Sequence, residues 1–154
     1  MTDALTTPLT DTQRATLDIV LDLIVPPTPD GRMPGAAQVG VAGWLVSQAP
    51  DALPALRSEL DQLDNLARER RGSAFASLDP AARQALVDGQ RAANPGFLAR
   101  LALETVTCYY QHDRVLQGLG QELRAPYPKG YQVLSGDLAL LQPVRQRGKI
   151  YRDA

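Results

Sequence analysis

The sequence predicts an all-α protein, a small bundle of about five helices followed by an extended, irregular C-terminal tail. Five stretches before residue 120 are predicted as helices, and in the first, third and fifth the apolar residues fall on one face. After that point no helical period is sustained, apart from a turn of helix at "DLALL". The length of 154 residues suits one domain with a buried core. We therefore predict a helical bundle over residues 1–120 and a tail over residues 121–154 of the same domain.

The first predicted helix is "LTDTQRATLDIVLDLIV". Thr10 is a suitable N-cap, and Gln13 at the third helical position completes the pattern of a capping box. The prolines at positions 26, 27 and 29 end the helix, because a residue that precedes proline is disfavoured in the helical conformation. The apolar face contains Leu17, Val20, Leu21 and Ile24.

The second and third predicted helices differ in character. "AAQVGVAGWLVSQ" predicts a helix of small residues, in which Gly40 and Gly43 allow close packing and Trp44 lies in the core. "ALPALRSELDQLDNLARERR" predicts an amphipathic helix on the bundle surface, with Asp51 as its N-cap. Its apolar stripe contains Leu53, Leu56, Leu60, Leu63 and Ala67, and its solvated face contains Arg57, Asp61, Asp64 and Arg68.

The fourth and fifth predicted helices begin at the same kind of signal. Asp79 precedes a proline in "SLDPAARQALVDGQR", and Asn94 precedes a proline in "NPGFLARLALETVTCYYQ". Asp and Asn are favoured as N-caps, and proline is favoured at the first helical position because its missing N–H would have no partner there. One arc of the fifth helix holds Phe97, Leu98, Leu101, Thr105, Cys108, Tyr109 and His112.

Cys108 and His112 are the only cysteine and the only histidine, and on a helix they would lie one turn apart. Both fall in the apolar arc, which predicts a buried thiol and a histidine satisfied by a neighbour. Glu104, Cys108 and His112 form a row in steps of four along the helix. A catalytic triad needs the histidine between the nucleophile and the acid, and here the cysteine is in the middle. A metal would need carboxylates to complete its ligands. We predict no catalytic, cofactor-binding or metal-binding residues.

Charge and composition argue against several classes of protein. A formal net charge of −1 gives no general attraction to nucleic acid or to acidic membranes. A single cysteine leaves no internal disulfide. The longest apolar run, "IVLDLIV", is too short to span a bilayer, and no secretory or twin-arginine signal is visible. We therefore expect a cytoplasmic protein, or a periplasmic one if a partner carries the export signal.

The tail after residue 120 has the composition of a binding segment. It contains three of the five tyrosines, and its six basic residues outnumber its three acidic ones. A segment of this length without a core of its own is either disordered or used. Its proline, tyrosine and apolar content argues against plain disorder, so we expect it to be ordered against the bundle or against a partner.

The order of these segments resembles the gluconate 2-dehydrogenase subunit 3 family over nearly the whole chain. The resemblance rests on the capped first helix, on "PGAAQVGVAGWL", "FASLDPAARQALV" and "GFLARLALETVTCYYQH", and on "PYPKGYQ" and "LLQPVRQRGKIYR" in the tail. It implies a small helical accessory subunit that stabilises or matures a large FAD-dependent flavoprotein of the glucose-methanol-choline type, which oxidises alcohols, sugars or sugar acids. It also implies that FAD belongs to the partner and that this chain binds none. Whether a third, cytochrome subunit takes the electrons is left open.

We predict a partner interface built from tyrosines, arginines and one proline. These residue types are favoured because Tyr and Arg combine contact area with directional hydrogen bonds, and a proline-braced loop loses little entropy on docking. The predicted interface residues are Tyr109, Tyr110, Tyr127, Pro128, Tyr131, Arg145, Arg147 and Tyr151. Two other functions remain as alternatives, a transient assembly factor for the same flavoprotein and, less favoured, a stand-alone enzyme that uses the Cys–His pair.

Overall fold

The structure is a computed structural model that describes residues 9–48, 50–123, 130, 134–147 and 149. These residues form α-helices and short 3-10 turns and contain no strand, so the predicted all-α class is confirmed. The chain divides into two units, Met1–Leu123 and Arg124–Ala154.

Six α-helices make up the described part of the first unit. They are α1 (Asp11–Ile24), α2 (Val41–Gln48), α3 (Leu53–Arg71), α4 (Pro80–Ala93), α5 (Pro95–Tyr109) and α6 (Asp113–Gly118). Three 3-10 turns lie between them, at Ala36–Val39, Pro50–Ala52 and Phe75–Ser77. The five predicted helices correspond to α1–α5, with a break in the second, and α6 is a helix that the apolar pattern does not predict.

The start of α1 is the predicted capping box. The hydroxyl of Thr10 accepts a hydrogen bond from the backbone N–H of Gln13 (3.2 Å), and Oε1 of Gln13 accepts one from the backbone N–H of Thr10 (3.1 Å). Two donors of the first turn are thereby satisfied. The apolar face is directed to the core, where Leu17, Val20 and Leu21 are fully buried and Ile24 is partly buried.

The second predicted helix is interrupted at Gly40. This residue has φ +75°, which side chains with a Cβ rarely adopt, so a 3-10 turn ends there and α2 begins at the next residue. The predicted close packing at Gly43 is wrong, because this glycine is exposed and a Cβ added to it would meet open space. Trp44 is partly buried and packs against the core.

The apolar stripe predicted for α3 is confirmed, since its four leucines and Ala67 are all buried. The predicted cap is wrong. Asp51 lies inside the 3-10 turn that precedes α3, and Ala52 occupies the N-cap position without a side-chain hydrogen bond. The 3-10 turn therefore takes the place of a side-chain cap at the start of this helix.

Asp64 is the second departure from the prediction for α3. It was expected on the solvated face, yet it is 8% exposed. Its carboxylate accepts hydrogen bonds from the backbone N–H of Phe75 (2.9 Å) and from Nε of Arg68 (2.8 Å). The carboxylate therefore holds the segment that follows α3 against the helix, and this contact joins residues that are too far apart in sequence for a periodicity to reveal it.

α4 begins at the predicted cap, where the carboxylate of Asp79 accepts a hydrogen bond from the backbone N–H of Ala82 (2.9 Å). Asn94 does not cap α5 in the predicted way, because its side chain makes no capping bond and its Nδ2 donates to Glu59 of α3 (2.7 Å). The other carboxylate oxygen of Glu59 accepts from Nε2 of Gln90 (2.9 Å). One carboxylate thus ties the end of α4 to α3.

The described part of the second unit contains a 3-10 turn, Leu138–Leu141, and one short helix, α7 (Gln142–Gln146). Asp137 caps the turn, because its carboxylate accepts from the backbone N–H of Ala139 (2.9 Å). The turn of helix predicted at "DLALL" is therefore confirmed. Among the described residues of this unit, the exposed large apolar side chains are Leu134, Leu138, Leu140, Leu141 and Val144.

Candidate partner-binding surface

The thiol of Cys108 lies on the core side of α5, as the helical wheel predicts. Burial raises the pKa of this thiol above its ordinary value. A raised pKa leaves less thiolate at neutral pH, and the thiolate is the form that acts as a nucleophile or binds a metal. This environment suits packing and does not activate the sulfur.

The prediction that His112 lies in the buried stripe of the fifth helix is wrong. α5 ends at Tyr109, and after a short turn His112 becomes the N-cap of α6. Its Nδ1 accepts a hydrogen bond from the backbone N–H of Arg114 (3.2 Å). The imidazole therefore satisfies a donor in the first turn of α6 and does not stand one helical turn beyond Cys108. The prediction continued the helical apolar pattern beyond Tyr109, where α5 ends.

The two adjacent tyrosines at the end of α5 occupy opposite environments. Tyr109 is 1% exposed, and its hydroxyl donates a hydrogen bond to the backbone carbonyl of Pro34 (2.7 Å). Tyr110 is half-exposed, and its ring stands edge-on to that of Tyr109 with the centroids 5.3 Å apart. The burial of Tyr109 does not agree with a place in a partner interface, whereas Tyr110 is available at the surface.

α6 packs closely over the loop that follows α1. A Cβ added to Gly118 would lie 2.6 Å from Sδ of Met33 and 2.9 Å from the backbone oxygen of Arg32, so a larger residue would displace the loop. Val115 of the same helix is fully buried. Together with the hydrogen bond from Tyr109 to this loop, these contacts fix the C-terminal end of α5 in the bundle.

A second apolar face of α5 is directed away from the core. Leu103, Val106 and Tyr110 recur at steps of three and four and are 67%, 39% and 51% exposed. Ala99, one turn before Leu103, is also exposed. We call these four residues the outer stripe. Sequence reasoning missed it because the apolar character of this helix was assigned wholly to the buried arc, although the steps of the second stripe are visible in the sequence.

Beside the outer stripe lies a groove of about 490 Å³ between α1, α4 and α5, which we call the α5 groove. Its apolar lining consists of Val20, Leu23, Ile24, Val87, Pro95, Leu98, Ala99 and Ala102. Gln84 and Arg91 complete the lining, and Arg91 is the one charged residue among the described residues that form it. Ala99 lines the groove and lies one turn before Leu103, so the groove and the outer stripe adjoin each other at this residue.

The bundle also contains a smaller cavity. A cavity between α2, α3 and α5 has a volume of only about 60 Å³, well below that of ordinary ligand pockets. Within the described ranges no three His, Cys, Asp or Glu side chains are grouped closely enough to hold a metal ion. In the same ranges, no helix has both the length and the apolar character needed to cross a bilayer.

A model of the family described as gluconate 2-dehydrogenase subunit 3 matches residues 11–121. The chain belongs to this family. The matched residues run from the start of α1 to just beyond α6, so the family match includes both the outer stripe and the α5 groove. Neither a curated protein nor a solved structure matches the chain.

The predicted interface residues in the tail lie beyond the part of the chain matched to the gluconate 2-dehydrogenase subunit 3 family. Arg145 lies in the last turn of α7 and Arg147 directly after it, and both are exposed. Tyr127, Pro128, Tyr131 and Tyr151 lie outside the described residues. Contact between the tail and a partner stays a prediction.

Proposed function

We propose that this chain is the non-catalytic small subunit of an oxidoreductase complex, in which it binds a large FAD-dependent alcohol or sugar dehydrogenase and stabilises or matures it. The observation that carries the proposal is the match of residues 11–121 to the gluconate 2-dehydrogenase subunit 3 family. In this proposal the FAD and the substrate pocket belong to the large subunit, a flavoprotein of the glucose-methanol-choline type.

The environments of the two most reactive side chains support a role without chemistry. The thiol of Cys108 is buried and its pKa is raised by that burial. The imidazole of His112 is used as a helix cap. Cys108 lies in α5 and His112 at the N-cap of α6, and no hydrogen bond among the described residues joins them, which supports a role without a nucleophile–base pair.

The exposed apolar side chains support a role in binding. Monomeric soluble proteins rarely expose large contiguous apolar patches, and such patches commonly mark sites of protein association. The bundle presents the outer stripe and the α5 groove, and the second unit presents the leucines around Leu138 together with Val144. We propose that Tyr110, Arg145 and Arg147 contribute to the interface, with Tyr127, Pro128, Tyr131 and Tyr151 from the rest of the tail.

Purification of an affinity-tagged chain from the cells that produce it tests the proposal. The expected result is a dehydrogenase that co-purifies in a fixed ratio, carries FAD by its absorption spectrum and reduces a dye with an alcohol, sugar or sugar acid. A tagged chain that is stable, monomeric and free of any flavoprotein would contradict it. Removal of the chain from the matured dehydrogenase separates a permanent subunit from an assembly factor. The dehydrogenase should keep its stability and activity if the chain is an assembly factor, and lose them if the chain is a permanent subunit.

A further inference from the structure

The surface formed by the adjoining outer stripe and α5 groove has no partner within the described residues of the bundle. Its three large side chains, Leu103, Val106 and Tyr110, leave on the order of 300 Å² exposed, which is in the range of the functional patches found on monomeric proteins. The groove beside them is lined by Leu23 and Ile24 on the α1 side, and by the exposed Gln84 and Arg91 over the buried Val87 on the α4 side. A helix laid into such a groove would place side chains at steps of three and four against it.

The position of this surface in the family match bears on its occupant. Residues 11–121 are the part of the chain that the family model describes, and they contain the whole stripe and groove. The tail lies after them. If assembly with a dehydrogenase is the property that family members share, the shared part of the chain is expected to carry a docking surface for it. The bundle then has a direct role in binding, in addition to the role proposed for the tail.

The size of the surface argues against a second copy of this chain as the occupant. A stable dimer generally buries about 800 Å² on each partner. The stripe by itself supplies less than half of this area, and the groove beside it is lined partly by the polar Gln84 and Arg91. The remaining exposed face of α5 contains Arg100 and Thr107, which are not apolar. The surface is therefore suited to be one part of a larger interface, of the kind that a large subunit contacting both the bundle and the tail would form.

The charge of the groove indicates what the occupant carries. Arg91 is exposed and is the one charged residue that lines the groove among the described residues. A partner helix buried there would leave this guanidinium unpaired unless it presented a carboxylate, because a desolvated charge without a partner is costly. From the area, the groove shape and this charge, we propose that the α5 groove and outer stripe bind an apolar helix of the dehydrogenase subunit that carries an Asp or Glu opposite Arg91. This inference rests on the proposed function.

Three arginine substitutions at exposed helical positions test the proposal. Ala99→Arg places a charged side chain where the groove and stripe meet, and Leu103→Arg does so in the middle of the stripe. Ala85→Arg is the matched control, because Ala85 is an exposed alanine of α4 that lines neither feature. The probe is the FAD-containing dehydrogenase that co-purifies with the wild-type chain, and the readout is its dissociation constant with each variant. The thermal unfolding midpoint of each variant confirms that it is folded.

We expect Ala99→Arg and Leu103→Arg to weaken binding by about tenfold or more, as truncation or charging of a central interface contact does, and Ala85→Arg to leave it unchanged. If all three variants bind like wild type, the inference is overturned and the proposed function stands. If the wild-type chain binds no dehydrogenase, both are overturned. Loss of a concentration-dependent homodimer in Ala99→Arg, with dehydrogenase binding intact, would show that a second copy occupies the groove and would also overturn the inference.

A fourth variant keeps the proposal testable if an arginine in the groove prevents folding. Arg91→Glu changes only an exposed side chain at the edge of the groove, so the bundle is expected to stay folded. If a carboxylate of the partner faces Arg91, the substitution should weaken binding, and the loss should become smaller at high salt, where charge repulsion is screened. Binding by Arg91→Glu that equals wild type at low salt would contradict the proposed carboxylate.

Discussion

The hydroxyl of Tyr109, at the last position of α5, donates a hydrogen bond of 2.7 Å to the backbone carbonyl of Pro34, in the loop between α1 and α2. Both residues are buried, and they are 75 positions apart in the sequence. The bond therefore positions the end of α5, from which the exposed ring of Tyr110 projects. Tyr109 supports the candidate surface from within, and Tyr110 forms part of it.

The substitution Tyr109→Phe is expected to lower the free energy of unfolding by about 1–3 kcal/mol, because it leaves the buried carbonyl of Pro34 without its donor. Chemical denaturation measures the change. The control is Tyr110→Phe, which removes a hydroxyl from a half-exposed ring and should change stability by less than about 0.5 kcal/mol. Equal effects of the two substitutions would contradict the structural assignment of this pair.

Substitutions at Gly40 and Gly43 should change stability in opposite directions. Gly40→Ala forces a Cβ into a backbone with φ +75°, at an expected cost of about 1–2 kcal/mol. Gly43→Ala adds a methyl group to an exposed helical position with open space around it, so it should stabilise the protein by about 0.5–1 kcal/mol. Thermal or denaturant unfolding of both variants compares them directly. Stabilisation by Gly40→Ala would show that the helix continues through this position.

Asp64→Ala should destabilise the bundle by about 1–3 kcal/mol, because the buried backbone N–H of Phe75 loses its acceptor. The loss is also expected to increase hydrogen exchange in the turn that contains Phe75. Asp88→Ala is the matched control, since Asp88 is an exposed aspartate on a helix and accepts a surface hydrogen bond from Gln84. Equal stability of the two variants would contradict the burial of Asp64. It would instead place Asp64 on the solvated face of α3, as the helical pattern of the sequence predicts.

The thiol of Cys108 should react slowly with an alkylating reagent in the folded protein. Its raised pKa leaves a smaller fraction of thiolate at neutral pH than a free cysteine has, and burial restricts access to it. Denaturation should speed the reaction, because both effects are lost. The rate of the folded protein should keep rising with pH beyond the ordinary thiol pKa, where the reaction of a free cysteine has already levelled off. Rapid alkylation of the folded protein at pH 7 would instead indicate an activated sulfur.

Replacement of Cys108 by Ser separates an accessory subunit from a stand-alone enzyme. In the proposed complex the substitution should leave dehydrogenase activity per bound FAD unchanged, because the thiol does no chemistry there. Activity is measured on the purified complex, with the unsubstituted chain prepared in parallel. Loss of activity from a variant that is still folded and still bound to the dehydrogenase would favour the Cys–His alternative.

Local signals predicted several features correctly, although the same kind of signal also predicted caps at Asp51 and Asn94 that the structure does not form. The capping box of Thr10 and Gln13, the Asp79 cap and the buried leucines of α3 all follow from spacing alone, and the structure confirms them. The left-handed conformation of Gly40 is also local, but the sequence alone does not predict it, because glycine is found within helices as well. Whether the helix breaks at Gly40 depends on the packing of the two segments that it joins.

Features that depend on tertiary contacts were harder to predict from the sequence. His112 continues the four-residue row numerically, yet α5 ends three residues earlier, where Tyr109 is anchored to Pro34. The burial of Asp64 depends on a turn eleven residues away. The sequence alone does not show which of the two apolar stripes of α5 faces the core. The packing of α1, α2 and α4 against this helix decides it.

Expression of the dehydrogenase with and without this chain tests most directly whether the chain acts by binding a flavoprotein. The quantity to measure is the yield of soluble dehydrogenase that contains FAD and oxidises its substrate. We predict a large loss of this yield when the chain is omitted and its recovery when the wild-type chain is supplied. An equal yield of stable, FAD-loaded and active dehydrogenase without the chain would contradict the proposed function.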